Sequence, residues 1–291
     1  MKLGVHCANL TWPGGPEALG TTLAGVAKAA DAGGVTSLTL MDHYFQMETL
    51  GGPPEPMLEG YTSLGFLAGQ TSRIELGLLV TGVTYRHPGL LTKIVTTLDV
   101  LSQGRAMLGL GAAWYEREHR GLGVPYPPTN ERFERLEETL QIVKQAWSGG
   151  GTYDGAHYRL EELSVVPQPL RAGGPRIVVG GMGERRTLRL VAQYADACNL
   201  FATGTDQIAH KLDVLRGHCD DVGRDYAEIT TTIAGTLNRP LDDVDAWLAT
   251  MQEYADLGIT QVWVGPDASD PVGWTEQMCD TVLPRLAEIG A

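Results

Sequence analysis

Asp42 and His43 place a carboxylate and an imidazole side by side just after a β-rich run. In such a position an imidazole can pass a proton or hydrogen-bond a heterocycle, and a neighbouring carboxylate can tune it. The competing reading is structural, because adjacent residues need not touch and a lone histidine is more often part of the packing. Gly180-Gly181-Met182-Gly183 follows a second β-rich run and precedes a helical pattern that begins Glu184-Arg185-Arg186. Consecutive amides at the positive end of a helix can nest a phosphate. Glycine lets that backbone approach a ligand closely. An ordinary glycine-rich turn explains the same residues.

Gly109-Leu110-Gly111-Ala112-Ala113-Trp114 resembles a dinucleotide fingerprint only superficially. The last glycine is missing, and the segment lies too far along the chain to be a first βα unit, so the Rossmann reading is rejected. With so little side-chain bulk, Gly111 and Ala112 leave room for a flat ring, with Trp114 as a wall; a small-residue turn beside a packed tryptophan fits equally well. Arg86, in Tyr85-Arg86-His87-Pro88, either binds an anion or bridges the rim, and the rim is preferred. His6 and Asn9 are polar groups within reach of a ligand. His119 follows Glu116-Arg117-Glu118, a polar run read as a solvated helix face. His6, His43 and His87 could converge, yet no spacing rule requires it. No HExxH, Walker sequence or GxSxG elbow is present, and no catalytic metal is expected.

Eight strand–helix alternations position these residues. The β-rich runs are Lys2–His6, Ser37–Met41, Ile74–Thr81, Ala106–Leu110, Arg176–Val179, Ala197–Leu200, Ile229–Ala234 and Gln261–Val264. Helices are expected over Pro16–Ala32, Tyr61–Gln70, Pro88–Ser102, Asn130–Trp147, Glu184–Tyr194, Asp206–Val222 and Asp242–Leu257, with a terminal helix kinked at Pro284. In the fourth helix Phe133, Leu136, Leu140, Val143 and Trp147 form one apolar stripe, and Asn130 suits the N-cap. This alternation predicts a (β/α)₈ TIM barrel, with a doubly wound open sheet as its competitor. The Gly- and Pro-rich stretch from Gly149 to Gly174 reads as a hairpin insertion between the fourth helix and fifth strand, and residues 1–291 as a single domain. The unusual residues gather after strand ends, which in such a barrel form the mouth where active sites sit.

Composition agrees with a soluble enzyme. Hydrophobic residues make up 43% of the 291, enough for a substantial core without staples. Cys7, Cys198, Cys219 and Cys279 form no CxxC pair and read as reduced thiols. A net charge of −13 argues against nucleic acid, while local amides and arginines can still hold an anionic cofactor. No signal peptide or membrane-length apolar run is seen, so a cytoplasmic protein acting on a small molecule is expected.

Together these segments resemble the luciferase-like monooxygenase superfamily, and within it the deazaflavin (coenzyme F420)-dependent oxidoreductases. The likeness runs through Met41-Asp42-His43, Thr71–Gly77, Tyr85–Pro88, Leu98–Arg105, Gly109–Trp114, Glu131–Glu138, Val179–Gly181 and Ala195–Ala197. It implies that Asp42-His43 faces the deazaflavin ring, with His43 serving proton transfer or hydrogen bonding. It implies a bulge with a non-prolyl cis peptide behind the ring in Leu79-Val80-Thr81-Gly82, and a cofactor phosphate on Gly180–Gly183. The implied activity is hydride transfer between coenzyme F420 and a small organic substrate. A monooxygenase using reduced FMN and a non-catalytic flavin-binding barrel are the alternatives. Relatives commonly carry glycine in place of Ala113, asparagine in place of Tyr115 and glycine in place of Met182. Trp114 stands where some deazaflavin dehydrogenases have a catalytic acid, which weakens an alcohol-oxidising chemistry of that type. Trp12, Pro13, the Met47–Met57 stretch, Trp114, Tyr115 and Phe201 would give a partly apolar pocket wall. A homodimer is compatible with the resemblance, although no exposed stripe in the sequence marks an interface.

Overall fold

A computed structural model of the chain describes residues 1–235 and 239–290. The strands, in chain order, are β1 (Lys2–Cys7), β2 (Ser37–Leu40), β3 (Glu75–Leu78), its two-residue continuation β4 (Thr81–Gly82) and β5 (Ala106–Gly111). A hairpin of β6 (Gly151–Asp154) and β7 (Arg159–Leu163) follows, then β8 (Arg176–Gly180), β9 (Ala197–Phe201), β10 (Thr230–Ala234) and β11 (Gln261–Val264). Parallel pairing runs β3-β2-β1-β11-β10-β9-β8-β5 and returns from β5 to β3, so the sheet closes on itself. The result is the expected (β/α)₈ barrel, and the antiparallel hairpin stands where the Gly- and Pro-rich stretch predicted it.

The helices are α1 (Gly15–Gly33), α2 (Gly60–Ala68), α3 (Pro88–Leu101), α4 (Glu116–Leu122), α5 (Thr129–Trp147), α6 (Thr187–Tyr194), α7 (Thr205–Val222), α8 (Val244–Asp256), α9 (Pro271–Gln277) and α10 (Leu283–Ala287). Local chemistry sets several boundaries. Pro16 lies in the first turn of α1, and Gly34 ends the helix in a left-handed conformation. The stripe on α5 is buried at Leu136, Leu140, Val143 and Trp147 and half-buried at Phe133. The cap is two residues earlier than expected: Pro128 takes the N-cap place, and Asn130 lies inside the first turn. Near the C-terminus a π-helical segment, Met278–Val282, separates α9 from α10, so Pro284 begins a helix instead of bending one. Among the described residues no helix is long and apolar enough to cross a membrane.

Strand periodicity divides the apolar residues into two cores. Outward-facing Val5, Leu38, Leu76, Leu108, Val179, Leu200, Ile233 and Val262 pack against the helices. Inward-facing Met107, Val178, Ala197, Ala234 and Trp263 fill the barrel, with Leu79 against them. Polar pairs complete the interior: Arg176 with Glu75 at 2.7 Å, Gln261 Nε2 on Ser37 Oγ at 2.7 Å, and His6 Nδ1 with Thr39 Oγ1 at 2.9 Å.

At the end of β3 the chain leaves the ladder through a cis peptide between Leu79 and Val80 and rejoins it at Thr81. The Val80 side chain projects over β5 and β8. A Cβ on Gly111 or on Gly180 would meet it at 2.7 Å and 3.0 Å. On Gly109 a Cβ would meet Val80 at 3.0 Å and the Leu78 carbonyl at 2.1 Å. Gly111 and Gly180 thus leave room for the Val80 side chain, and Gly109 chiefly for the Leu78 carbonyl. Gly109→Ala is expected to cost about 1–3 kcal/mol through forced backbone movement. Gly20→Ala, in α1 where a Cβ meets nothing within 4 Å, is expected to gain about 0.5–1 kcal/mol. Thermal unfolding of the two variants checks both signs.

Candidate active site

Asp42, at the end of β2, is buried and turned towards α2 and α3. Its oxygens accept from Arg86 Nη1 at 2.8 and 2.9 Å and from the Gly82 amide at 2.9 Å. Arg86 Nη2 also reaches Glu59 at 2.5 Å and the Tyr44 hydroxyl at 3.1 Å, and the guanidinium lies 4.8 Å from the centre of the Tyr61 ring. Burial pushes the Asp42 carboxyl above its ordinary value, against the pull of Arg86 and the Gly82 amide. Burial opposes the charge on Arg86 too, but Asp42 outweighs it and holds the guanidinium above its usual value. Arg86 thus bridges the rim, as preferred from sequence, and Asp42 is an anchor for the β3 end. The idea that Asp42 tunes His43 is not met by this geometry: its oxygens bond Arg86 and the Gly82 amide, and none of its hydrogen bonds reaches His43.

The partner of His43 is Glu118. Its Oε1 lies 2.7 Å from His43 Nδ1, and its Oε2 accepts from the amides of Tyr44 at 2.7 Å and Phe45 at 3.2 Å. The Tyr85 hydroxyl also donates to Oε1. Burial works against the Glu118 charge, yet the hydrogen bonds from His43, Tyr85 and the Tyr44 amide hold its carboxyl below the ordinary range. His119 is buried beside it, stacked on Tyr85 with ring centres 4.5 Å apart and bonded to Thr84 Oγ1 at 2.7 Å. The polar run is therefore split. Glu116, Arg117 and Arg120 face solvent from α4, while Glu118 and His119 turn inward. Sequence reasoning missed Glu118, His119 and Tyr85 as site residues, since a short charged helix carries no apolar period to mark its buried face.

Trp114 is 58% exposed at the mouth. It stacks on Tyr115 at 5.1 Å and meets the His43 ring edge-on at 5.5 Å. Ala112 and Ala113 beside it are half-buried, and Ala113 takes φ +57°, a conformation that glycine adopts at less cost. Arg132 holds this loop through the Ala113 carbonyl at 2.7 Å, and the Tyr126 hydroxyl holds the Trp114 carbonyl at 2.9 Å.

Across the mouth, the loop Gly180–Gly183 differs from the simple nest. The Gly181 amide is spent on the Asn199 carbonyl at 3.0 Å, and Glu184–Arg186 form a turn before α6 begins at Thr187. Among the described residues the amides of Met182 and Gly183 make no hydrogen bond within the protein. Met182 Sδ accepts from the Phe201 amide at 3.3 Å. Arg185 and Arg186 follow the loop in sequence and, with Arg189, line a cavity of about 220 Å³ between α5 and α6 that no residue of the loop itself lines. Thr81 Oγ1 meets the Tyr61 hydroxyl at 2.7 Å. The other polar candidates are bound locally: Asn9 accepts from the Thr11 amide, and His87 caps α3 through the Gly89 amide, so His87 does not join His43. His6 lies inside the barrel, and burial pushes its imidazole down to about 4.

A family model described as luciferase-like monooxygenase matches residues 1–257. The chain belongs to the luciferase-like monooxygenase family. Among curated relatives of this family, the F420-dependent glucose-6-phosphate dehydrogenase of Kineococcus radiotolerans is 30% identical over 82% of this chain and 69% of its own length. The phthiodiolone/phenolphthiodiolone dimycocerosates ketoreductase of Mycobacterium bovis is 30% identical over 79% of this chain, which spans only 61% of that protein. The coenzyme F420-dependent tetrahydromethanopterin reductase of Methanopyrus kandleri has the same fold, with a TM-score of 0.79 at 17% identity over 98% of this chain and 99% of its own.

Two outcomes follow for this family member. His6 binds a proton less readily folded than unfolded, so its contribution is complete above its unfolded pKa near 6.5 and is lost as pH falls towards about 4. Denaturant unfolding is expected to show about 2 kcal/mol less stability near pH 5 than near pH 7 from this group, and His6→Gln to flatten that slope. Arg86→Ala leaves the Asp42 carboxylate buried without its cation and is expected to cost about 3–5 kcal/mol in the same measurement.

Proposed function

We propose that this protein is a coenzyme F420-dependent oxidoreductase acting on a small organic substrate. The observation that carries the reading is the convergence at one barrel mouth of three features. His43 is tied at one nitrogen to a buried carboxylate, Trp114 offers an open aromatic wall beside it, and Val80 forms a platform over the glycines of β5 and β8. The names of the similar dehydrogenase and reductase point to the same cofactor.

These residues fit such a group. Leu79, Val80, Thr81 and Gly82 would back a flat ring, and Gly111 and Ala112 would leave it room. The amides of Met182 and Gly183, which make no hydrogen bond within the described residues, would hold a phosphate. Gly180 and Gly181 serve that loop indirectly, one by admitting Val80 and the other by pairing with β9. Bound deazaflavin supplies the hydride chemistry. His43 would give a proton to the substrate atom that gains charge on reduction, or take one in reverse. Trp114 and Tyr115 would orient an apolar part of the substrate and exclude water. Asp42 would act from behind, by holding Gly82 and Arg86 in place.

Absorbance titration with coenzyme F420 and with FMN tests this directly. Saturable F420 binding and deazaflavin-dependent turnover without oxygen uptake are expected. FMN-dependent oxygen consumption would instead establish the monooxygenase, and binding without turnover over a broad panel a non-catalytic barrel. His43→Ala is expected to slow turnover about 10²–10⁴-fold while leaving cofactor affinity near wild type.

A further inference from the structure

We propose that Glu118 is a positioning residue that fixes the proton of His43 on Nδ1 and leaves Nε2 as the reacting nitrogen; this rests on the reading of His43 as the proton-transfer group. The argument is one of hydrogen-bond satisfaction. Glu118 has no exposed surface, so each of its oxygens must be met by donors. Oε2 takes the backbone amides of Tyr44 and Phe45, which can only donate. Oε1 takes the Tyr85 hydroxyl and His43 Nδ1. A carboxylate is acceptor-only when ionised, and its hydrogen bonds hold Glu118 in that form. Nδ1 therefore carries a hydrogen in both protonation states of the ring.

The consequence for His43 is specific. When the imidazole is neutral, its lone pair is on Nε2, which among the described residues has no hydrogen-bond partner. When the ring is protonated, Nε2–H is the proton available for donation. Reduction of a substrate would move the Nε2 proton to the substrate atom, leaving neutral imidazole with hydrogen on Nδ1. The reverse reaction would return that proton to Nε2. Glu118 need not change its protonation in either direction, while its charge favours the imidazolium as it forms.

The rest of α4 serves the same geometry. Tyr115 reaches the Gln46 carbonyl at 3.4 Å, Arg117 pairs with Glu48 at 2.7 Å, and Phe45 packs where a Cβ on Gly121 would lie. The helix and its N-cap thus grip the loop that carries His43 at several points, and Glu118 is the one that hydrogen-bonds the ring itself.

The test is nitrogen NMR of ¹⁵N-labelled imidazoles in the full-length protein without cofactor, with His43 assigned by its loss in His43→Ala. The expected wild-type signal, where the ring is neutral, is hydrogen on Nδ1 and a bare Nε2. In Glu118→Gln the side-chain oxygen must still face the Tyr44 and Phe45 amides. Its NH₂ then meets His43, so the hydrogen is expected to move to Nε2. Turnover with cofactor should fall by roughly 10²–10⁴-fold, mostly in kcat, with KM and cofactor affinity near wild type. A wild-type ring with hydrogen on Nε2 overturns the proposal, and so does Glu118→Gln with the wild-type tautomer and kcat. Should Glu118→Gln not fold, the wild-type spectrum alone decides. Hydrogen on Nδ1 in a protein without deazaflavin-dependent turnover supports the assignment and sinks the functional reading, so the two failures are distinguishable.

Discussion

A carboxylate taken out of water must find donors for both oxygens, and that requirement organises the mouth of this barrel. Glu118 meets it by collecting two consecutive amides and an imidazole from one loop and a phenol from another. That carboxylate is the one group that joins the His43 ring to the two amides after it and to Tyr85. The same device recurs elsewhere. Asp31 on α1 accepts from the amides of Ser72, Arg73 and Ile74, and Glu138 on α5 accepts from Ala156, His157 and Tyr158. In each case an acid on a helix secures a run of loop backbone that strand pairing does not reach. The barrel supplies the frame; buried acids fix the loops to it.

Val80 sets the other constraint. Its side chain occupies space over β5 and β8 that any Cβ on Gly109, Gly111 or Gly180 would contest. Leu79 meanwhile packs against the inner core of Met107, Val178 and Trp263. The platform is thus tied to the packing beneath it, and the mouth above is bounded by His43 and Trp114 on one side and Met182 and Phe201 on the other. Small residues at the strand ends, Ala112 and Gly181 among them, keep that space open.

Much of the fold was legible from the chain alone. Strand and helix periods differ, so the alternation of β-rich runs and amphipathic stretches could be read without knowing any long-range contact. Helix ends were less legible. Pro128 and Thr129 start α5 ahead of Asn130, and α6 begins only at Thr187, because caps and turns depend on neighbouring backbone as well as on residue type. The position of the hairpin was legible because glycine and proline mark turns locally.

What the sequence determined by itself was the strand–helix alternation of a parallel α/β fold, the gathering of unusual residues after strand ends, and His43 as one of the imidazoles to consider there. Those follow from patterns spanning a few residues. Tertiary structure alone decided that His43 answers to Glu118, 75 residues away, and that Asp42 next door answers to Arg86. It also decided that the Gly181 amide is spent on β9 while those of Met182 and Gly183 are left open. Hydrogen-bond partners across a barrel mouth are fixed by how the strands close and where the loops land, and no local spacing encodes that.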